Sequence, residues 1–497
     1  MPWRPLPGRI AEAAAVRPQA PALLWHADEV TYAELHRMAC AAAARIAGLG
    51  LRPAEPVALV AKKSPQAVAV VLACLMLRRP VLLPSAELGA ETLAALVDRC
   101  GARRLPDPAQ LTEGQGEFAF DGDHDPEDVA LLLTTSGSTG LPKVVPLTGG
   151  AVTRFADWAA ERFGIGPEST VLNYAPLNFD LCLLEVWTTL SRGGCVSLVD
   201  QDLAANPAHL LAQYRTRPAQ VVQGVPMLYQ LLTQAAEGDP ELVLDGVEHA
   251  LLTGDAVSAR GFEPLPTLLP KAVFHNVYGC TETNDSFLHT IDPADPMPYG
   301  TVPIGRPIDG VDALVLDGNG EELTGPGRGE LVVSTPFQTA GYLDAELDRG
   351  VFSERGGTRY YRTGDLVRRH EDGVLTLEGR RDFVVKVRGV RINTAEVEAA
   401  LRSHPAVAEA AVIALSDELA GTRLHAVVQR AEGGKLNSLT IRRHAAGLLP
   451  RVAIPTTVEL VDTPLPRTGT GKLDRKAVQR RLVQARTDRP DTPASGG

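Results

Sequence analysis

A chain of 497 residues, 44% apolar and 22% charged, is too long for one core and has the composition of a soluble, multi-domain globular protein. Its formal net charge of −11 argues against a general nucleic-acid binder, which would show a basic face. Six scattered cysteines without a CxxC pair exclude a disulfide scaffold and a cysteine metal knuckle, and fit a reducing compartment.

The N-terminal stretch MPWRPLPGRIAEAAA lacks the apolar core of a signal peptide. The longest apolar run, AVAVVLACLML at 67–77, is too short to span a bilayer and is expected as a buried helix. No membrane association and a cytoplasmic location are therefore expected. Residues 8–50 are expected to be helical, interrupted by a short strand near 22–25. From about 56 onward apolar strands alternate with helices: PVALVAKK and PVLLP, then VLNYAP, VSLVD, QVVQG, EHALLTG and AVFHNVYG. That rhythm predicts an α/β protein with parallel sheets covered on both faces. From about 310 the texture changes to short alternating strands with Gly/Asp turns, an antiparallel β region. Beyond GRRDF comes a smaller α+β segment, in which Thr394 is expected to cap a helix beginning TAEVE. The last stretch, ARTDRPDTPASGG, is polar and Pro/Gly-rich and is expected to be disordered.

The segment LLLTTSGSTGLPKVV (131–145) is the first with chemistry in it. A strand runs into Thr135, Ser136, Gly137, Ser138, Thr139 and Gly140. The glycines free the backbone to turn and present N–H groups to phosphate oxygens, and Lys143 adds a cation. The plain alternative is a mobile Gly/Ser loop. A Walker A loop is excluded because Pro142 and Val144 flank the lysine. Only eight of the 49 basic residues are lysines, and three of them, Lys143, Lys386 and Lys472, fall in such motifs.

TTSGSTGLPKVV resembles the phosphate-loop motif of the adenylate-forming superfamily, and further motifs follow in that family's order. NVYGCTET (276–283) resembles NxYGPTE, with Cys280 in the usual proline position. GELVVSTPFQTAGYLD (329–344), YRTGDLVRR (361–369), GRRDFVVKVRGVRIN (379–393) and LPRTGTGKLDRKAV (465–478) complete the series. The resemblance covers about residues 10–480. It implies a large N-terminal adenylation domain (1–380) of two parallel-sheet α/β lobes plus a small β region. A small mobile C-terminal α+β domain (381–480) and a tail (481–497) would follow.

It further implies ATP and Mg²⁺. Asn276, Tyr278 and Thr281 would lie at the adenine end, and Glu282 would reach the metal and phosphates. Asp365 would clamp the ribose hydroxyls, and Arg380 would touch the nucleotide. Asp382 would be the hinge, and Lys472 the catalytic lysine of adenylation. Lys386 and Gly389 would serve thioester formation after the small domain rotates.

LNFDLCLLEVW (177–187) resembles the segment of amino-acid-activating members whose Asp pairs with the substrate ammonium, which assigns that role to Asp180. A carboxylate in an apolar pocket needs such a cation; the alternative is that Asp180 caps the following helix. The pocket would be lined by Leu181, Leu184, Met227, Leu251, Thr253, Val277, Asp285 and Ser286. Leu181 and Leu184 resemble stand-alone prolyl-carrier-protein ligases, and the single-chain layout also resembles D-alanyl-carrier ligases. Asp285 departs from the prolyl group. It implies a substrate with a further amine or hydroxyl, or else it bonds a backbone N–H away from substrate.

The resemblance thus implies an amino-acid ligase that loads the phosphopantetheine thiol of a separate carrier protein, as in nonribosomal peptide pathways. Two alternatives stay open: an AMP-forming acyl-CoA ligase using free CoA, and a catalytically silent binding protein of the same fold.

Overall fold

A computed structural model describes residues 3–487 except 87, 115, 117, 119, 121, 123, 136–141, 238, 240–241, 255–256, 258, 381–383, 388–389, 418–420, 435 and 450–452. The chain divides into two compact units. The first comprises Met1–Leu314, Val332–Thr363 and His370–Thr376. The second comprises Val315–Leu331, Gly364–Arg369 and Leu377–Gly497.

The first unit is built on two mixed sheets. In the larger, the strands Cys195–Leu198, Thr170–Asn173, Val221–Gly224, His249–Thr253 and Val273–Cys280 run parallel. On one side Asn284–Ile291 pairs antiparallel with Val273–Cys280 and Arg306–Pro307 antiparallel with Asn284–Ile291; on the other, Pro21–Trp25 continues the parallel set and Asp28–Thr31 pairs antiparallel with it at the far edge. The smaller sheet sets Arg103–Arg104, Val57–Ala58, Val81–Leu82 and Val129–Thr135 parallel, then adds Lys143–Thr148 antiparallel. The parallel-sheet expectation is thus corrected at the edges. Where the chain returns through the short turn 281–283, no helix intervenes, and only an antiparallel partner can be reached.

Local sequence explains the covering helices. Tyr32–Ala47 starts at a capping box, in which Thr31 caps Glu34 N and the Glu34 carboxylate accepts from Thr31 N at 2.8 Å. Pro65–Met76 starts at Ser64 with Pro65 in its first turn; it is apolar all round and buried along its whole length. It packs into the main core with Trp187, Leu35, Ile46 and Phe155.

A further sheet orders Asp312–Leu316, Gly327–Ser334, Thr358–Arg369 and Phe352–Arg355, with Leu375–Arg380 also pairing Thr358–Arg369. The division between the units falls within its strands.

Within the second unit, the hairpin Val384–Val387/Val390–Asn393 precedes the helix Thr394–Arg402. Thr394 is the first helical residue, one position later than the cap expected of it; its side chain is buried. Val407–Asp417, Gly421–Arg430 and Thr457–Val461 form a three-stranded sheet. Fully buried Glu398 joins these parts: it accepts from Val412 N at 2.9 Å and from Arg475 Nε at 2.8 Å. The tail expected to be disordered over 481–497 is helical as far as Thr487, at the end of the helix Arg475–Thr487, and its remainder, 488–497, lies outside the described residues.

Candidate active site

Four parallel strands of the large sheet, ending at Asn173, Gly224, Thr253 and Cys280, point their C-terminal ends the same way. Thr253 and Tyr278–Cys280 lie at those ends, and the segments just beyond them carry Asp180, Met227, Thr281 and Glu282. That is the edge at which open α/β sheets bind ligands.

The segment 335–343 stitches this edge to the smaller sheet. Thr339 N donates to the Glu282 carbonyl at 2.9 Å, and Thr339 Oγ1 to the Pro146 carbonyl at 2.7 Å. Leu343 N donates to the Val144 carbonyl at 3.0 Å. Asp348 packs against Gly341, where an added Cβ would displace its carboxylate from the hydrogen bond that it accepts from Tyr342 N at 2.8 Å. The next residue, Tyr342, then lies where three motif elements meet. Its hydroxyl donates to Glu282 Oε1 at 2.5 Å and lies 3.4 Å from the Tyr361 hydroxyl, while Lys143 Nζ sits 4.8 Å over its ring. Burial and the Glu282 carboxylate push both tyrosine hydroxyls well above the ordinary phenol range. They stay protonated and act as donors.

The structure therefore brings Lys143 and Glu282 onto one tyrosine, a convergence that sequence reasoning missed for Tyr342 and Tyr361 themselves. Both lie in recognised motifs, at GY and at the start of YRTGD, so the signal was present. At the strand position paired with Lys143, the Thr135 hydroxyl is buried and has no hydrogen-bond partner among the described residues. A buried carboxylate, an orphaned hydroxyl and a lysine form a donor set that fits a nucleotide phosphate with a hard, oxygen-seeking cation. No group of three or more metal-type side chains occurs among the described residues. Magnesium does not require one, since it is held by few protein ligands plus phosphate.

Around the turn, Asn276 is buried and donates to the Pro303 carbonyl at 2.7 Å. Tyr278 packs edge-on against Phe287, 5.9 Å between ring centres. Cys280 Sγ lies 3.2 Å from the Thr283 hydroxyl, so the cysteine is held inside the turn where a proline was expected. Thr281 is half-buried at the start of that turn.

Among the pocket residues, Leu184, Leu251, Val277, Thr253 and Ser286 are buried, and Leu181 and Met227 are half-buried. Ser286 Oγ is engaged within its own turn, at 3.1 Å from both the Asn284 carbonyl and Thr283 Oγ1. Asp180 lies just ahead of the following helix, and its carbonyl accepts from Leu183 N at 2.8 Å. That element is a π-helix, Leu183–Thr188, which begins after Cys182 without a side-chain cap. Asp285 is half-buried, and its carboxylate makes no hydrogen bond among the described residues. Its burial and the Asp180 charge push it up to about 7. The backbone N–H alternative for Asp285 therefore finds no partner, and the two carboxylates share one electrostatic environment.

In the second unit, Asp365 is buried on the strand Thr358–Arg369. Lys472 is exposed on a tight turn in which Thr468 N donates to its carbonyl at 2.7 Å and Gly471 adopts φ +80°. Arg467 braces the turn, donating to the Gly471 carbonyl at 2.7 Å and to Glu409 at 3.0 Å. Arg380 and Lys386 lie on described strands. Ser136, Gly137, Ser138, Thr139, Gly140, Asp382 and Gly389 lie outside the described residues.

A family model described as AMP-binding enzyme matches residues 10–343, and one described as AMP-binding enzyme C-terminal domain matches 396–472. The chain is 34% identical to an L-proline–[L-prolyl-carrier protein] ligase of Pseudomonas fluorescens over 72% of this chain and 69% of that one. It is 32% identical to the ligase of the same name in Streptomyces coelicolor, over 94% of each chain. An o-succinylbenzoate coenzyme A synthetase of Bacillus subtilis, solved with ATP and magnesium, superposes with a TM-score of 0.82. That match has 22% identity and covers 95% of this chain and 99% of the other.

Proposed function

Since the chain belongs to the AMP-binding enzyme family, we propose that it activates an amino acid as its aminoacyl-adenylate and loads it onto the phosphopantetheine thiol of a separate carrier protein. The observation that carries this reading is the likeness to an L-proline–[L-prolyl-carrier protein] ligase along 94% of the chain, with Asp180 in the loop that follows the strand Thr170–Asn173.

In this reading ATP is a substrate. Lys143, the phosphate-loop residues and Thr135 bind its phosphates, Tyr278 and Asn276 its base, and Asp365 its ribose. Glu282, oriented by Tyr342, would hold magnesium, which when bound offsets phosphate charge. Lys472 aligns the substrate carboxylate with the α-phosphate, so that attack is a matter of positioning rather than covalent catalysis. Asp180 pairs the substrate ammonium, and Asp285 stands ready for a second polar group.

The test is ATP–pyrophosphate exchange against the proteinogenic amino acids, D-alanine, β-amino and diamino acids, and several fatty and aryl acids. Strong exchange with one amine-bearing acid, and loading of a phosphopantetheinylated carrier, are expected. Exchange only with amine-free acids, followed by thioester formation with free CoA, would overturn the reading.

A further inference from the structure

Beneath the segment that carries Asp180 lies a buried charged network that the proposed chemistry does not use. Lys63, at the entry to the apolar helix Pro65–Met76, is only 3% exposed. Its ammonium donates to three successive carbonyls, Asn173 at 2.9 Å, Tyr174 at 3.3 Å and Ala175 at 3.1 Å. These residues end the strand Thr170–Asn173 and begin the loop that leads to Asp180.

Glu185 grips the same stretch. It is fully buried on the π-helix Leu183–Thr188. Its Oε2 accepts from Asn173 Nδ2 at 2.5 Å and from Ala175 N at 3.1 Å. Its Oε1 accepts from Gln223 Nε2 at 3.3 Å, and that amide also donates to the Leu181 carbonyl at 3.2 Å. Lys63 thus holds the carbonyls at the entry to the loop 174–182. Glu185 holds an entry amide directly and the exit, at the residue after Asp180, through Gln223.

Two buried charges at the foot of one loop are costly, and apolar packing would usually serve stability as well or better. Burial pushes the Lys63 ammonium down and the Glu185 carboxyl up from their ordinary ranges, and each is partly offset by the other's charge. What the charges provide is hydrogen bonding that a hydrocarbon cannot: each is spent on the backbone or amide groups of the loop. The π-helix, an element enriched at functional sites, brings Glu185 into this position.

We propose that Lys63 and Glu185 are positioning residues for amino-acid recognition, acting through Asn173, Gln223 and the backbone of 173–182 to fix the Asp180 carboxylate. The inference rests on the reading of Asp180 as the ammonium partner. It predicts that disturbing the clamp weakens recognition of the amine-bearing substrate and leaves ATP recognition in place.

The experiment uses the full chain with Gln223→Leu, Glu185→Gln and Lys63→Met, each checked for a cooperative melt. Pyrophosphate exchange gives KM for the best amino acid and for ATP, and the preference for that acid over its amine-free analogue. The expected result is an amino-acid KM raised about tenfold or more, an ATP KM within about twofold, and a reduced preference for the amine. If Lys63→Met does not fold, Gln223→Leu decides, since it removes no charge. Unchanged amino-acid KM and preference in folded Gln223→Leu and Glu185→Gln would overturn the clamp, as would an equal rise in both KM values. The wild-type protein tests the underlying reading separately: if it shows no preference for the amine over the analogue, the Asp180 assignment fails instead.

Discussion

At Glu282, a single carboxylate has to stay charged and correctly aimed while largely removed from water. Among the described residues the Tyr342 hydroxyl, 2.5 Å away, is the side-chain donor to it, and burial keeps that hydroxyl protonated. Tyr342→Phe deletes that hydroxyl and retains the ring under Lys143. A hydrogen bond to a charged group contributes about 1.5–3 kcal/mol, so pyrophosphate exchange should fall roughly 10- to 100-fold while the melting temperature falls by about 2–4 °C. Exchange at the wild-type rate would show that the tyrosine does not orient the carboxylate. Asp285 makes a second, sign-definite prediction. Its folded pKa, about 7, lies above the ordinary 3.8, so the folded state favours the protonated form. That contribution is fully present below about pH 4 and is lost as pH rises to about 7. Asp285→Asn should therefore melt roughly 2–4 °C above wild type at pH 8, with a smaller gain at pH 5. A gain that is the same at both values would mean that the carboxyl is not titrating in this window.

At the scale of elements, the turn between Val273–Cys280 and Asn284–Ile291 shows how closely backbone and site are fitted. The register shifts between Tyr278 and Gly279, and a Cβ at Gly279 would meet the Asn284 carbonyl oxygen at 2.2 Å. Gly279→Ala should move the turn that carries Glu282, lowering the melting temperature by several degrees and exchange by more than tenfold. Gly318→Ala, where a Cβ meets nothing within 4 Å, should change neither. Equal behaviour of the two variants would remove the turn from the argument. The strands themselves were largely legible in the sequence, because apolar runs bounded by turn residues and alternating with helices mark them out, though not their order in the sheet. The mixed edges were not: periodicity reports which face is buried, not the direction in which a neighbour runs. Lys63 and Glu185 were also invisible, since a lysine before a helix and a glutamate among LCLLEVW look alike whether they face solvent or hold a loop. Only the geometry, in which three carbonyls converge on one ammonium, separates the two cases.

For the whole molecule, the question is how one chain performs two half-reactions. Adenylation needs a cation between a carboxylate and a phosphate; thioester formation needs that cation out of the way and a path for a thiol. The proposed division of labour gives the first task to Lys472 and the second to the strand carrying Lys386. Lys472 suits its task, since it is exposed on a turn whose backbone is braced by Thr468 and Arg467, so that only its side chain has to be ordered on binding. Lys472→Ala should cut pyrophosphate exchange by at least 100-fold and leave ATP binding, measured calorimetrically, within a fewfold of wild type. Lys386→Ala should keep exchange within about threefold and slow carrier loading by tenfold or more when loading is followed from preformed adenylate. The opposite substitution of roles, or both half-reactions falling together in each variant, would mean that the two lysines act in one arrangement. In that case a single static site, rather than a change of conformation between steps, would have to account for both reactions.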